Sequence, residues 1–288
     1  MISVCIVNYR SKTELIRLTR QLNAFPLVHE ILVCDNSNEI EEGELSTKSK
    51  VYASENIGFS KAINKLLNNV TGEFILLLNP DMIILKAFED FLNAIINFPY
   101  QYECLGCLVD SENSPENGIV GGNFPTLLNT FLTQFGLLRL FPKKIRNNLS
   151  LDIRSSAIDR SNLFFEVDYV SGCCLAVPAS RFKLNGGFNE KYFMYFEETE
   201  YQWQQYQITR RRSAIFTSAW VHHNEGNSSP EKANYFFYKQ SQYNYFSGSR
   251  NYLFIVNMIG ILLRTVNTGL NGAWTRTKIE FEVWKKCI

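Results

Sequence analysis

Asp81 and two adjacent histidines are the residues of this sequence that best suit a divalent cation. Asp81 follows the apolar run FILLL, and Pro80 fixes the turn that presents its carboxylate at the end of a strand. His222 and His223 close another strand-like run, before a loop rich in Gly, Ser and Asn. Each residue alone also fits an ordinary turn or loop. Together they indicate a cation site, because carboxylate and imidazole groups are common metal ligands.

The run FMYFEETE at 193–200 is the candidate for acid–base chemistry. It holds three carboxylates in four positions among aromatic side chains. If the run is helical, Glu197 and Glu200 share one face and Glu198 points elsewhere. An acidic surface patch is the alternative interpretation, but its Phe, Met and Tyr neighbours argue against it. Carboxylates in an apolar wall have raised pKa values, which suits a general base.

A cation site and a general base together are what sugar transfer from a nucleoside diphosphate requires. The cation neutralises charge that develops on the β-phosphate, and the carboxylate takes the proton of the acceptor hydroxyl. Glycosidases also use two carboxylates, but they need no nucleotide pocket at the end of a sheet. The combination therefore favours a sugar-nucleotide transferase.

These groups need a scaffold, and the first hundred residues predict a doubly wound, mostly parallel α/β sheet. Apolar runs at 2–7, 30–34, 50–53 and 74–78 alternate with helix-like segments at 13–23, 60–69 and 87–97. Ligands of such sheets bind beyond the carboxyl ends of the strands. Polar clusters follow four predicted strands: Asn8-Tyr9, Asp35-Asn36, Glu55-Asn56 and Asn79-Pro80-Asp81. Neither GxGxxG nor GxxxxGKS/T occurs, so the main evidence for a dinucleotide-binding fold or a P-loop protein is absent.

The composition excludes several other classes of protein. The 288 residues carry a formal net charge of +1, which gives no reason to expect nucleic acid as a partner. The seven cysteines are odd in number and lie mostly in apolar runs, which predicts reduced thiols. Cys104-x-x-Cys107 lacks a second ligand pair at a matching distance, so a buried strand is favoured over a zinc site.

Neither a signal peptide nor a membrane span is predicted, so the expected location is the cytoplasm. The chain starts directly with a strand, and no apolar run reaches the ~18 residues of a span. Segments 127–144 and 252–284 combine aliphatic and aromatic residues with flanking Lys and Arg. That pattern is typical of helices in a membrane interface, and also of a core cap or a subunit contact.

In its motifs the sequence resembles the inverting family 2 glycosyltransferases, particularly their bacterial rhamnosyltransferase-like branch. The similarity covers about residues 2–230. VCIVNYRS resembles the family's opening strand and turn, LVCDNSN its VVDNxS motif, ENIGFSKAIN its NxGFxxxxN segment and LLLNPD its metal motif. The stretch from VDYVSGCC to FMYFEETEYQWQ is similar to its acceptor-side segment, and WVHHNEGNSS to the segment with a metal-binding His. The six motifs occur in the family's order.

The resemblance implies a GT-A fold, Mn²⁺ or Mg²⁺ as cofactor, and roles for particular residues. It implies that Asp35 contacts a uracil or thymine base and that Glu198, paired with Glu197, is the catalytic base. Metal ligation is implied for Asp81 with His223 or His222, which the sequence does not separate. The donor-side residues are Asn8, Tyr9, Asp35, Asn56, Gly58, Phe59, Asn64 and Asn79, and the acceptor-side residues are Gly172, Asn189 and Glu190.

Three positions depart from the family's pattern. Glu198 stands where the base is usually Asp, Asn189 stands where FDE has its Asp, and Asn79 replaces the first acid of a DxD pair. Glutamate reaches one methylene further than aspartate, which implies a deeper pocket or slower turnover. These departures motivate one alternative, a catalytically weak paralogue that binds a sugar or a partner. A nucleotidyltransferase is the other, although the phosphate loop it needs is absent after Val7.

The predicted function is inverting transfer of a sugar from a dTDP- or UDP-activated donor, with dTDP-rhamnose as the first candidate. The expected acceptor is a growing, lipid-linked saccharide of a surface polysaccharide such as O-antigen or capsule. Such an acceptor implies peripheral contact with the inner face of the cytoplasmic membrane. The predicted domains are a glycosyltransferase domain over 1–230, with a donor half at about 1–110 and an acceptor half at about 111–230, and a helical extension over 231–288.

Overall fold

The fold is an α/β sheet with flanking helices, followed by three helices at the carboxyl end. The computed structural model describes residues 1–41, 43–111, 116–224, 231–268 and 270–287. Residues 225–230, which include the last part of the WVHHNEGNSS motif and the predicted domain boundary, lie outside the described residues. Within those ranges a nine-stranded sheet carries the main core, and a three-stranded antiparallel sheet packs beside it. The expected α/β class with a helical carboxyl-terminal extension is confirmed.

The first hundred residues fold as their apolar periodicity predicts. The strands are β1 (Ile2–Asn8), β2 (Val28–Asp35), β3 (Ser49–Ala53), β4 (Phe74–Leu78) and β5 (Met82–Ile84), and the helices are α1 (Lys12–Asn23), α2 (Phe59–Leu67) and α3 (Phe88–Ile96). In α1, Leu15, Leu18 and Leu22 recur at helical spacing and are fully buried. Every residue of β1 is buried, as is typical of a strand whose sheet is covered on both faces.

Strands β3, β2, β1 and β4, in that order, form the parallel part of the sheet. Their register aligns the last residues: Asn8 of β1 pairs with Asp35 of β2, and Asp35 pairs with Ala53 of β3. The strands therefore end at one edge, and the loops that leave that edge carry the polar clusters of the sequence. This is where ligands of open α/β sheets bind.

Beyond residue 100 the sheet becomes mixed. The elements are β6 (Tyr102–Ser111), β7 (Ile119–Gly122), α4 (Leu127–Gln134), α5 (Lys143–Leu149), β8 (Asp152–Arg154), β9 (Phe164–Val167), β10 (Tyr169–Val170), β11 (Cys174–Pro178), α6 (Ala179–Leu184), α7 (Glu197–Thr209) and β12 (Arg212–His223). β11 runs antiparallel between β4 and β6, and β12 lies parallel to β6. β12 also pairs antiparallel with β5 and β9, and β10, β7 and β8 form the small sheet.

The prediction that Cys104 and Cys107 lie in a buried strand is confirmed. Both belong to β6, and all seven cysteines are free thiols. Cys107 Sγ lies 3.5 Å from Cys174 Sγ, across the β6–β11 pair. These side chains act as small core hydrophobes.

Three helices follow the sheet: α8 (Glu231–Tyr245), α9 (Arg250–Thr268) and α10 (Leu270–Cys287). They have a small core of their own around Tyr243, Leu253 and Val283. Buried Glu280 accepts hydrogen bonds from the Tyr243 hydroxyl and the Asn257 amide, both at 2.7 Å, which fixes the helices relative to one another. None of the described helices is both long and apolar enough to cross a bilayer.

Candidate functional site

The end of β4 brings Asp81 to His223. Asn79, Pro80 and Asp81 form the turn between β4 and β5, and β5 pairs with the end of β12 so that His223 lies opposite Met82. His223 Nε2 is 3.3 Å from Asp81 Oδ1 and 3.4 Å from Asn79 Nδ2. All three side chains are half-buried. The structure thus brings a carboxylate, an imidazole and a carboxamide together at the strand-end edge.

His222 is placed apart from this group. Successive side chains of a strand alternate between the two faces of a sheet, so His222 and His223 point in opposite directions. The Nδ1 atom of His222 lies 3.1 Å from Asp110 Oδ2. The sequence does not show which of the two histidines would bind a metal, and in the structure they have different carboxylate partners.

Asp81 and His223 fit a divalent cation as a partial ligand set. One carboxylate oxygen and one imidazole nitrogen are donors that suit a divalent transition metal such as manganese. In the described ranges no group of three or more His, Cys, Asp or Glu side chains converges as a ready metal site. A cation at this edge would need further ligands from a bound substrate or from water, as Mg²⁺ and Mn²⁺ sites at phosphates commonly do.

A second group of side chains forms around the start of α7. Tyr195 and Phe196, the two residues before the helix, have φ angles of +69° and +68°. Such left-handed conformations cost bulky residues about 1–3 kcal/mol each and persist where the surroundings enforce them. Here the ring of Tyr238 in α8 packs on both, at centroid distances of 6.0 Å and 5.4 Å. The carboxyl-terminal helices therefore support the turn that sets the direction of Glu197 and Glu198.

Glu198 points back towards the sheet, to the loop before β11. Its Oε1 accepts a hydrogen bond from the backbone N–H of Gly172 at 3.3 Å. Its Oε2 is buried and accepts no hydrogen bond from the described residues. One oxygen of Glu198 is thus oriented by the protein, and the other is a buried acceptor that the described residues leave unsatisfied.

The two adjacent carboxyls of α7 share a low-dielectric environment. Burial, and next the charge of Glu198, raise the pKa of Glu197 well above its usual value. Burial also raises the pKa of Glu198, but backbone N–H groups, including that of Gly172, oppose the increase. Ionisation of the pair therefore favours Glu198 over Glu197.

The turn at 172–173 connects the Glu198 group to the Asp81 group. The Cys173 carbonyl accepts a hydrogen bond from Asn79 N–H at 3.1 Å, while Gly172 N–H binds Glu198. The Cys173 thiol is near both carboxylates. Burial raises its pKa to about 12, and Asp81 and Glu198 add to the increase. The two groups predicted from distant parts of the sequence are therefore neighbours.

Asp35 is saturated with hydrogen bonds from its own loop. Its Oδ1 accepts from the amide of Asn8 at 3.0 Å and from the backbone and hydroxyl of Ser37, and its Oδ2 accepts from the N–H groups of Glu39 and Ile40. Asn8 and Asp35 are both buried. In this structure the two side chains shape the loop after β2. The accompanying Tyr9 is half-buried, beneath the Arg10 guanidinium, which lies 5.1 Å from its ring centre.

The segment at Asn56, Gly58 and Phe59 contacts the 193–200 run directly. Phe59 N–H donates to the Phe193 carbonyl at 2.6 Å. Gly58 has a φ of +85°, and a Cβ there would lie 2.5 Å from the same carbonyl oxygen and 2.7 Å from the Phe193 ring. The exposed Asn56 accepts from Gly58 N–H through Oδ1 at 3.3 Å. Only glycine fits this contact.

Asn64 is a second junction between the amino-terminal and later parts of the chain. Its Nδ2 donates to the Phe188 carbonyl at 2.8 Å, and its Oδ1 accepts from Phe188 N–H at 2.9 Å. The same Nδ2 lies 3.2 Å from Glu190 Oε1. Asn189 turns the other way, with its Nδ2 donating to Glu200 Oε1 at 3.1 Å. Asn64 and Glu190 thus fix the 188–190 loop, and Asn189 belongs to a different cluster.

A pocket of about 150 Å³ opens beside Glu198 and contains residues that the sequence analysis missed. The missed residues on its wall are Asp152, Tyr169, Ser171, Tyr195, Thr199 and Tyr238. The Tyr169 hydroxyl is 3.4 Å from Asp152 Oδ1. Asp152 and Tyr238 come from β8 and α8, which no quoted motif covers. The other four lie inside the quoted acceptor-side stretch, where the motif comparison gives them no role. We call this pocket the Glu198 pocket, because Glu198 lies on its wall.

Comparison with known proteins supports the family resemblance. Residues 3–153 match the profile of Glycosyl transferase family 2. A curated relative, the low-salt glycan biosynthesis hexosyltransferase Agl10 of Haloferax volcanii, is 28% identical over 209 residues, which are 69% of this chain and 60% of the relative. The chain thus spans about three-fifths of the length of that relative.

Solved structures with the same fold include one bacterial and one archaeal protein. TarS 1–349 of S. aureus aligns with 98% of this chain and 71% of its own, with a TM-score of 0.50 and 16% identity. The mannosyltransferase PcManGT of Pyrobaculum calidifontis, solved with GDP-Man and Mn²⁺, aligns with 99% of this chain and 85% of its own, with a TM-score of 0.52 and 12% identity. At these identities the similarity shows the fold, and the expected GT-A architecture is confirmed.

Proposed function

The chain belongs to glycosyl transferase family 2, and on that premise we propose that it is an inverting transferase of sugars from a nucleoside diphosphate to a saccharide. The observation that carries the proposal is the 172–173 turn, which binds Glu198 on one side and Asn79, two residues from Asp81, on the other. A base and a phosphate-binding edge this close suit one sugar held between them. The hexosyltransferase relative supports a hexose as the transferred group.

In the proposed reaction an acceptor hydroxyl oxygen attacks the anomeric carbon of the donor sugar. The bond from that carbon to the diphosphate oxygen breaks, the nucleoside diphosphate leaves with the electron pair, and the configuration inverts. The hydroxyl proton passes to Oε2 of Glu198, while Gly172 N–H holds Oε1. General-base catalysis of this kind contributes about 10²–10⁴-fold to a rate.

Glu197 supports this chemistry by keeping its own proton. Two adjacent buried carboxyl groups do not readily both ionise at neutral pH, because each charge disfavours the other. Because Glu197 is the more deeply buried of the two, its proton is retained and the negative charge resides on Glu198. We therefore assign Glu198 as the base and Glu197 as a positioning residue.

For the cation we propose Asp81 and His223 as protein ligands, with Asn79 alongside. Their 3.3 Å separation is compatible with both atoms binding one ion at about 2.0–2.2 Å. The nitrogen donor makes this set softer than the all-oxygen sets that Mg²⁺ prefers, which favours Mn²⁺. His222 is a weaker candidate because its partner is Asp110. When bound, the cation would neutralise charge on the leaving diphosphate.

For the donor we propose binding along the loops after β1, β2 and β3. The bonds of Asp35 to Asn8 and to its own loop support an indirect role, in which Asp35 holds the loop that contacts the base. Gly58 and Phe59 hold the next segment against Phe193. The motif resemblance makes dTDP-rhamnose and UDP-sugars the first donors to test. GDP-mannose is the next, because PcManGT was solved with it.

For the acceptor we propose a lipid-linked saccharide presented at a membrane surface. Four side chains on one side of α9, here called the α9 stripe, are 44–70% exposed: Tyr252, Ile255, Ile259 and Leu262. Phe281 of α10 is 45% exposed, and Lys285 lies over its ring at 4.5 Å. Apolar residues with adjacent cations suit an anionic leaflet, where basic side chains extend to the headgroups.

Turnover with defined donors tests the proposal. The purified protein is incubated with each nucleotide sugar, with and without Mn²⁺, and release of nucleoside diphosphate is measured with the wild type and Glu198→Gln. We expect release from one donor class that depends on Glu198. Nucleotide-sugar binding without any turnover would instead support the weak or inactive paralogue.

A further inference from the structure

A second pocket of about 460 Å³ lies between α7 and the junction of α8 with α9. Its volume is within the range of about 300–1,000 Å³ typical of ligand pockets. The residues that matter for its chemistry are Asn189, Glu200, Trp203, Gln204, Tyr245 and Arg250. We call it the Trp203 pocket. None of its polar groups is assigned to donor binding or to the base, and only Asn189 has a role implied by the motif resemblance, on the acceptor side.

The Trp203 pocket is the neighbour of the Glu198 pocket. Pro125 lines both pockets. Phe196, on the wall of the first, packs against Tyr245, on the wall of the second, with ring centres 5.6 Å apart. Glu198 and Glu200 both belong to the first turn of α7. Pro125 and the Phe196–Tyr245 pair therefore form the boundary that the two pockets share.

The side chains of the Trp203 pocket are arranged in advance. Glu200 Oε1 accepts from the amides of Asn189, at 3.1 Å, and Gln204, and no described residue donates to its Oε2. The carboxamide groups of Asn189 and Gln204 are thereby fixed without a ligand. Planar carboxylate and carboxamide groups held in this way can bind vicinal hydroxyls as donor and acceptor at once.

Trp203 supplies an apolar face. Its indole is 38% exposed although Phe124 packs against it edge-on, at 5.1 Å between ring centres. An exposed aromatic ring that is already immobilised loses little conformational entropy when a ligand covers it. An apolar face beside fixed hydroxyl-binding groups is the combination that complements a pyranose ring, which has C–H faces and a hydroxyl rim.

We propose that the Trp203 pocket binds the second sugar unit of the acceptor, counted from the unit whose hydroxyl meets Glu198. This inference rests on the proposed function and deepens it: the enzyme recognises at least a disaccharide at the end of its acceptor. It also gives the carboxyl-terminal helices a role in substrate selection, because Tyr245 and Arg250 belong to that part of the chain.

Indole NMR of the full chain tests the inference. The protein is labelled with ¹⁵N-tryptophan, and Trp203→Phe assigns one of the four indole signals. Free disaccharides (mannobiose, chitobiose, lactose and cellobiose) and their monosaccharides are the probes. We expect at least one disaccharide to shift the Trp203 signal, and to do so at about tenfold lower concentration than its monosaccharide. No shift with any disaccharide would overturn the inference.

Matched variants of α7 show whether the shift reports this pocket. Gln204→Ala removes a lining group and is expected to weaken the disaccharide response about tenfold. Gln207→Ala, an exposed glutamine of the same helix that does not line the pocket, is expected to leave it unchanged. Equal responses in both variants would overturn the assignment.

Nucleotide binding separates failure of this inference from failure of the proposed function. The same samples are titrated with dTDP, UDP and GDP in the presence of Mn²⁺. Nucleotide binding without a saccharide shift would refute the Trp203 pocket alone. Absence of nucleotide binding would refute the proposed function, whatever the saccharides do.

Discussion

Gly172 donates its backbone N–H to Oε1 of Glu198 at 3.3 Å, across 26 residues of sequence. A Cβ at Gly172 would lie 3.6 Å from that carboxyl group, so the contact is close but not strained. The neighbouring Cys173 carbonyl holds Asn79, at the strand end that bears Asp81. One short turn thus sets the spacing between the proposed base and the proposed cation site.

Glu198→Gln is expected to lower kcat by about 10²–10⁴-fold while donor binding is retained, because the amide cannot accept the proton. Glu198→Asp is expected to keep measurable activity. Steady-state rates and a donor titration check both. A large loss of donor affinity with nearly unchanged turnover would make Glu198 a structural residue.

The pH dependence has a definite sign. Burial raises the pKa of Glu198 above its usual 4.5, so activity is expected to fall with decreasing pH at a higher pH than for an exposed glutamate. Because the pKa is higher in the folded than in the unfolded state, ionising Glu198 destabilises the fold. This destabilisation is absent below the unfolded-state pKa and complete above the folded-state pKa. Glu198→Gln is therefore expected to increase Tm at neutral pH, by an amount that shrinks towards pH 4. Thermal melts across this range would contradict the assignment if the difference were constant.

His223→Ala and His222→Ala are matched variants for the cation site. His223→Ala and Asp81→Asn are expected to abolish most of the Mn²⁺-dependent donor affinity, since they remove the two groups that lie 3.3 Å apart. His222→Ala removes only the contact with Asp110 and is expected to retain that affinity. The measurement is the thermal shift produced by nucleotide sugar with and without Mn²⁺. Loss of the Mn²⁺ effect in His222→Ala alone would reverse the assignment.

Gly58→Ala is expected to impair both stability and donor binding. Two effects combine there: a φ of +85° and a contact of 2.5 Å between the new Cβ and the Phe193 carbonyl. Gly186→Ala is the control, because Gly186 also has a positive φ, +76°, but nothing lies within 4 Å of its Cβ position. We expect Gly186→Ala to cost about 1 kcal/mol and Gly58→Ala clearly more. Chemical denaturation measures both, and equal losses would show that the Phe193 contact does not matter.

The α9 stripe together with the basic Lys285 of α10 predicts salt-sensitive binding to anionic membranes. The protein is expected to co-sediment with anionic liposomes at low salt and to be largely released at about 1 M NaCl. Ile255→Glu with Ile259→Glu places charge within the stripe and is expected to abolish binding. Leu184→Glu is the control, because Leu184 is 87% exposed but lies on α6. Equal binding to neutral and anionic liposomes, or binding unaffected by the double variant, would refute the membrane contact.

The sequence by itself determined the elements of the amino-terminal half and the candidates for chemistry. The local pattern is sufficient there, because β1 is a continuous run that is buried throughout and α1 buries the leucines of its 3.6-residue repeat. Asp81 and Glu198 were identifiable because each stands out locally, one after a strand and proline, the other as an acid among aromatics. Motif order then pointed to the family that the profile match shows.

Only the tertiary structure decided how these groups meet. The register of β12 against β5 turns His223 towards Asp81 and His222 towards Asp110. The local sequence around the two histidines does not distinguish these orientations. Pairing of β8 with β7 and packing of α8 against the turn before α7 also placed Asp152 and Tyr238 beside Glu198, from segments without a local signal. The physical reason is that hydrogen bonds such as the one from Gly172 to Glu198 join residues far apart in the chain. Such bonds form only when the elements between the two residues have packed correctly.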